Sequence, residues 1–222
     1  MNIIRVIRLP DLFTLLNAAF GFSALLVAGR MDQSAPQAAV IFILLAAMAD
    51  GLDGFLARRV GSSPLGASLD SLADLVSFGA APAFLALQIF SPSPQALLAG
   101  IFYLLCGTLR LARFNNSSKS DQFFEGLPIP AAGIALSASV LLGRQIITFP
   151  LMLLLALLMV SSFSYPKIRD PRAVSIMGLV LLGTGFLIWQ GNDTLYAALL
   201  LMAVIMIYLA SPVVISFIRK GK

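Results

Sequence analysis

The chain is 222 residues long, 59% hydrophobic and only 11% charged, with a net charge of +5. A soluble domain carries about twice that charged fraction. Runs such as Leu12–Gly29 and Leu151–Phe163 hold no charge at all, so the composition excludes an ordinary soluble protein and points to an all-α, polytopic membrane bundle.

The opening MNIIRVIRLP interleaves basic with apolar residues, and no small-residue cleavage site follows. It reads as a short interfacial helix over about 1–9, with Ile3, Ile4 and Ile7 on one face and Arg5 and Arg8 on the other, not as a signal peptide. About eight spans follow, at roughly 11–29, 36–59, 66–90, 95–115, 128–143, 147–164, 173–190 and 194–217, forming a single membrane domain over 1–222. Pro36, Pro64, Pro94, Pro128, Pro150, Pro166 and Pro171 fall in or beside the connections, where helix-stopping residues belong. Span one carries a polar Asn17. Span four carries Cys106, the only cysteine, expected to be a buried thiol. Trp189 and Tyr196 flank the last connection as interfacial anchors.

Lys and Arg set the orientation. With the N-terminus in the cytoplasm, the inner side holds Arg5, Arg8, Arg58, Arg59, Arg110, Arg113, Lys119, Lys167, Arg169, Arg172, Arg219, Lys220 and Lys222. The outer side holds only Arg30 and Arg144. Both termini are therefore expected inside the cell membrane, on the cytoplasmic face. The same dispersal of basic residues over several loops argues against a nucleic-acid partner.

The hairpin 36–90 carries Asp50 and Asp53 near the end of its first helix, and Asp70 and Asp74 near the start of its second. Residues three and four apart share a helical face. Asp50, Asp53, Gly54, Ala57 and Arg58 thus make one stripe, and Gly66, Asp70 and Asp74 another. The short link RVGSSPLG sets the two helices antiparallel. Each carboxylate in a span costs about 2.5–3.5 kcal/mol on insertion scales, and four together repel, so a cation is expected among them. The chain has no histidine, and oxygen-only ligands favour a hard divalent ion, Mg²⁺ or Mn²⁺, with Ca²⁺ a further candidate occupant. Four carboxylates could hold one ion, or two about 3.5–4 Å apart. Glycines at 51, 54, 61 and 66 leave room for a helix or for a phosphate-bearing ligand.

The run Asp50-x2-Asp53-Gly54-x2-Ala57-Arg58-x7-Gly66-x3-Asp70-x3-Asp74 resembles the signature of the CDP-alcohol phosphotransferase family. That resemblance implies a membrane enzyme in which a CDP-linked lipid gives up its phosphoryl group to a hydroxyl and CMP leaves. It implies Asp50, Asp53, Asp70 and Asp74 as metal ligands, with Asp74 also the catalytic base, and Gly54, Ala57, Arg58 and Gly66 as nucleotide-binding positions. A homodimer is implied as well. CGTLRLARFN, GLPIP, SLADLVSFGAAPA and LLNAAFGF further resemble the phosphatidylserine synthase branch. This implies CDP-diacylglycerol, or a CDP-archaeol-type lipid, as donor and L-serine as acceptor.

The residues alone leave the acceptor open. Arg110, Arg113 and Asn115 could bind the serine carboxylate, or a lipid-linked phosphate, and the arginines could equally snorkel as topology anchors. Glycerol 3-phosphate or inositol phosphate would want arginines too. Asn17 suits a contact to the cytosine ring or an interhelical hydrogen bond. A different class, a cation channel or transporter, would use the aspartates as an ion pathway. Such a site belongs near the bilayer midplane, whereas these acids crowd towards one face.

Overall fold

The computed structural model describes residues 6–30, 32–90, 93–116, 123–166, 171–190 and 194–220. Eight helices run through them: α1 (Leu9–Ala28), α2 (Ala35–Val60), α3 (Gly66–Ile89), α4 (Pro94–Asn116), α5 (Ile129–Leu141), α6 (Gln145–Val160), α7 (Pro171–Gln190) and α8 (Thr194–Lys220). Helices α1 to α4 and the segment Thr194–Pro212 of α8 are long and apolar enough to cross a membrane, while Ile129–Leu141, Gln145–Val160 and Ile176–Gln190 are shorter apolar helices. The chain is a multi-pass helical membrane bundle. Most of the interfacial helix expected at 1–9 lies outside the described residues; within them, α1 already starts at Leu9.

The sides of the bundle are inverted relative to a soluble protein. Small residues fill the contacts: Ala24, Ala28, Ala35, Ala39, Ala46 and Ala49 are buried where α1 packs along α2. Large apolar side chains face outwards, among them Leu98, Ile101, Leu105 and Leu109 on α4, and Leu179 and Trp189 on α7. Hydrocarbon offers helices no hydrophobic drive to associate, so close backbone approach through small residues does the work. The outward leucines and isoleucines suit acyl chains rather than water. Trp189 and Tyr196 are exposed beside the α7–α8 connection, as interfacial anchors would be.

Helix α5 is the hub. Its 13 residues span about 20 Å, shorter than a bilayer core, and nearly all are buried. It contacts α2, α3, α6 and α8. Gly133 lies against the backbone of Phe78 on α3, where an added Cβ would sit 2.8 Å from Phe78 Cα.

The structure departs from the sequence expectations in three places. Helix α6 begins at Gln145, so Pro150 lies inside the helix and not in a connection. It is the sixth residue of the helix, past the first-turn amides that lack partners, so the Ile146 carbonyl goes without its usual amide partner. The stretch placed in span six up to residue 164 ends as a helix at Val160, and Ser164–Pro166 forms a short strand, β2, antiparallel to β1 (Phe123–Glu125), with Phe124 opposite Tyr165. Helix α3 is not a uniform α-helix: Leu75–Ala80 is a π-helical turn between α-helical halves Gly66–Asp74 and Ala81–Ile89.

The β1–β2 corner is locked by backbone bonds. Gly126 N–H donates to Phe163 O at 2.8 Å, and Leu127 N–H to Leu158 O at 3.0 Å. Gly126 sits at φ +74°, and any Cβ there would run into the Met159 carbonyl and the Arg113 guanidinium. A side chain meets both backbone strain and a clash, of order 1–3 kcal/mol from the strain alone. Gly126→Ala is expected to lower the unfolding midpoint in detergent by several degrees; a midpoint equal to the parent's would show that this corner tolerates a side chain.

Candidate active site

The hairpin of α2 and α3 brings three carboxylates together. One oxygen each from Asp50, Asp70 and Asp74 lies within 4.8 Å of the others. Asp70 and Asp74 are one turn apart on α3, and Asp50 faces them from α2. At that separation each pair of like charges repels by about 3 kcal/mol, taking an effective dielectric of 20. Arg110 of α4, only 6% exposed, lines the same cavity. One guanidinium does not balance three carboxylates. The donor set is all oxygen, and it fits a hard divalent cation.

Asp53 is placed differently. Three residues past Asp50, it is turned about 60° around α2, and its Oδ2 accepts a 2.6 Å hydrogen bond from Thr14 Oγ1 on α1. The four aspartates expected to act as one cluster are therefore arranged as three that converge and one that braces α1.

Helix α1 carries a polar face, of which Asn17 alone stood out in the sequence. Asp11, Thr14, Asn17 and Gly21 are spaced three, three and four apart, so they share one face, and all four are buried. Asp11 Oδ2 accepts from the Arg8 backbone N–H (2.7 Å) at the start of α1, and its Oδ1 accepts from Ser63 Oγ (3.0 Å) in the α2–α3 link. Arg8 also donates to the Ser62 carbonyl. Asn17 Nδ2 donates to Asp74 Oδ1 at 3.1 Å, and the Asn17 carbonyl accepts from Ser77 Oγ at 2.8 Å. The buried Asn17 Oδ1 has no hydrogen-bond partner among the described residues. This stripe was legible as spacing, but its partners lie 39 to 60 residues away.

Gly54 and Arg58 come together: Arg58 Nη1 lies 3.5 Å from where a Gly54 Cβ would be. Arg58 is exposed, Ala57 half-buried one turn past Gly54, and Gly66 packs near Asp11 Oδ1 and Ser63 Oγ. The other three expected site residues separate. Arg110 joins the aspartates. Arg113 instead donates to four backbone carbonyls, those of Glu125, Met159, Val160 and Ser161, and so clamps the end of α4 to the β1 corner and the end of α6. Asn115 bonds Ser71 on α3 through its Nδ2, at 3.0 Å. Neither Arg113 nor Asn115 lines the cavity.

That cavity has a volume of about 580 Å³. Its polar lining is Asp50, Asp70, Asp74, Arg110 and Tyr208; the rest is apolar, from Met48, Leu52 and Phe55 on α2, Ile134 on α5, Leu181 on α7 and Ile205 on α8. A charged centre with long apolar walls suits a molecule that is anionic at one end and a lipid at the other.

A model of the CDP-alcohol phosphatidyltransferase family matches residues 7–166, a stretch that holds all four aspartates and the α1 stripe. The chain belongs to that family. It is 39% identical over 176 residues to the archaetidylserine synthase of Methanothermobacter thermautotrophicus, covering 75% of this chain and 73% of that protein. It is 39% identical over 182 residues to the CDP-diacylglycerol–serine O-phosphatidyltransferase of Methanocaldococcus jannaschii, covering 81% and 84%. The enzyme of the same name from Bacillus subtilis is 35% identical over 141 residues, covering 62% and 80%. Membership in a transferase family decides against the aspartates as an ion pathway. Helices α7 and α8 lie beyond the matched stretch, yet they wall the cavity.

The split between Arg110 and Arg113 can be read in solution. Arg113→Lys keeps the charge but loses the planar fork that reaches several carbonyls at once. It is expected to lower thermal stability in detergent while leaving the acceptor KM within about twofold of the parent. A raised acceptor KM at unchanged stability would put Arg113 in the substrate site.

Proposed function

We propose that the protein is an integral-membrane phosphatidyltransferase that moves the phosphatidyl group of CDP-diacylglycerol, or the equivalent group of a CDP-archaeol-type lipid, to the hydroxyl of L-serine, releasing CMP. The observation that carries this reading is the convergence of Asp50, Asp70 and Asp74 beside Arg110 in a cavity whose walls are apolar. The serine acceptor is supported by the names of the relatives, all of which cover more than half of this chain. The lysine and arginine distribution supports an even number of crossings, with both termini and the site on the cytoplasmic side of the cell membrane. The enzyme is proposed to be a homodimer, as the resemblance to its family implies.

Asp50, Asp70 and Asp74 would hold the divalent ion, Mg²⁺ or Mn²⁺, with Asp53 on the same helix as Asp50 as the fourth carboxylate of a two-ion set. A bound ion would supply Lewis-acid stabilisation of the pyrophosphate and of the CMP leaving group. Arg58, above Gly54, would meet the nucleotide phosphates with its planar fork. Ala57 and Gly66 leave space at the nucleotide, and Asn17 holds Asp74. Arg110 would take the serine carboxylate or the lipid-linked phosphate. Asp74 accepts the serine hydroxyl proton as the serine oxygen bonds to the phosphatidyl phosphorus. The bond from that phosphorus to the CMP oxygen breaks, and the electron pair leaves with CMP.

The decisive assay offers purified protein CDP-diacylglycerol or CDP-archaeol with serine, glycerol 3-phosphate, inositol phosphate or no acceptor, reading CMP and lipid product by mass. Serine alone is expected to support turnover, and chelator to abolish it until Mn²⁺ or Mg²⁺ is restored. Product from another acceptor, or full turnover in chelator, would overturn the corresponding half of the proposal.

Positioned general-base catalysis is worth about 10²–10⁴ in rate. Asp74→Asn preserves size and removes the proton acceptor, so kcat is expected to fall by that order, with CDP-lipid still bound. Turnover within a few-fold of the parent would assign the proton to another group.

A further inference from the structure

The π-helical turn Leu75–Ala80 begins at the residue after Asp74. Its cause is visible in the sequence. In a regular α-helix the Phe78 carbonyl would pair with the amide of residue 82, but residue 82 is Pro, which has no N–H and whose ring clashes with the carbonyl four residues back. The chain widens instead: Ala81 N–H bonds to the carbonyl of Val76, five residues earlier. The Phe78 carbonyl is taken by the hydroxyl of Tyr103 on α4, a fully buried side chain, at 3.0 Å. Two glycines make room for the bulge. An added Cβ on Gly133 of α5 would sit 2.9 Å from the Phe78 oxygen, and one on Gly21 of α1 would sit 2.6 Å from Ser77 Cα. Ser77 Oγ is tied to the Asn17 carbonyl.

A π turn holds one residue more than the α turn it replaces. One residue is about 100° of helical rotation. The half Ala81–Ile89 is fixed by packing, with Ala81, Ala83, Leu85 and Ala86 buried. If the turn reverted to α, the half Gly66–Asp74 would rotate by about 100° against it. At a side-chain radius of about 5 Å, each carboxylate would travel about 8 Å. The three carboxylates now lie within 4.8 Å of one another, so the cluster would not survive.

We propose that the π turn sets the rotation that aims Asp70 and Asp74 at Asp50, and that Tyr103 and Pro82 are positioning residues that hold it. Neither touches the reacting atoms. This inference rests on the reading of the three aspartates as a metal site.

The test is Mn²⁺ binding to purified, metal-free protein in detergent, read from the free Mn²⁺ signal by electron paramagnetic resonance, without substrate. Tyr103→Phe removes only the hydroxyl. Pro82→Ala restores the amide and so favours a regular helix. A merely structural role predicts that Pro82→Ala leaves Mn²⁺ affinity unchanged and raises stability. The positioning role predicts that both substitutions weaken Mn²⁺ at least about tenfold and lower kcat. Thr184→Val, which removes a buried hydroxyl bonded only within α7, is expected to leave Mn²⁺ affinity unaltered. Monodisperse Pro82→Ala protein with Mn²⁺ affinity and kcat within twofold of the parent overturns the inference alone. A parent that binds no Mn²⁺ overturns the metal reading and this inference with it. If either variant fails to yield monodisperse protein, Ser77→Ala is read by the same criteria.

Discussion

Three carboxylates held within 4.8 Å of one another repel, and they do so inside a bundle whose outer surface is apolar. Nothing in their own chemistry would keep them there. Each is carried on a helix, so its position is fixed by where that helix is pressed and how far it is turned. The surrounding structure supplies both controls. Alanines along the α1–α2 contact bring backbones close enough to share hydrogen bonds between side chains, and the widened turn in α3 sets the angle of Asp70 and Asp74. A cation within the cluster would relieve the repulsion, but the geometry that receives it is built by packing.

Helix α1 works as the frame for this arrangement. It contributes no carboxylate to the trio, yet it bonds in succession to the α2–α3 link through Asp11, to Asp53 through Thr14, and to Asp74 and Ser77 through Asn17. Each of these bonds is buried, where a lost partner costs about 1–3 kcal/mol. Short polar side chains at three- and four-residue spacing are a cheap way to fix the register of one membrane helix on another. They also hold two aspartates in defined rotamers. Arg113 performs the same service for backbone, gathering four carbonyls at the corner where α5 begins.

Local periodicity made most of this legible. The helices of the bundle and the opposed stripes on α2 and α3 follow from apolar length and from 3.6-residue spacing, and three of the four aspartates that the spacing put on facing stripes converge. What local spacing could not carry was partner choice. Asp53 belongs to the Asp50 stripe by its position, but Thr14 draws it towards α1, a contact between residues 39 apart. Arg110 and Arg113 look equivalent at a helix end, and only the tertiary fold sends one to the cavity and the other to carbonyls. The β1–β2 pair depends on two loops meeting across α5 and α6. The π turn is a different case. Pro82, in the middle of an apolar run, was a local signal that the helix had to deform; the sequence could show that it would, though not which way its two halves would be turned.

The cavity divides its work between two parts of the chain. Its charged groups on α2, α3 and α4 lie inside the stretch shared across the family, while Met177, Leu181, Val204 and Ile205, on α7 and α8, lie outside it. The two kinds of contact obey different rules. A carboxylate or guanidinium acts through direction and distance, and a displacement of an ångström is costly. An apolar wall acts through area, and different alkyl surfaces fill it about equally well. Chemistry therefore constrains the first half of the chain to a spacing that can be recognised as a signature. The apolar wall positions on α7 and α8 need only keep their volume, so those helices can serve the same site without sharing a sequence pattern.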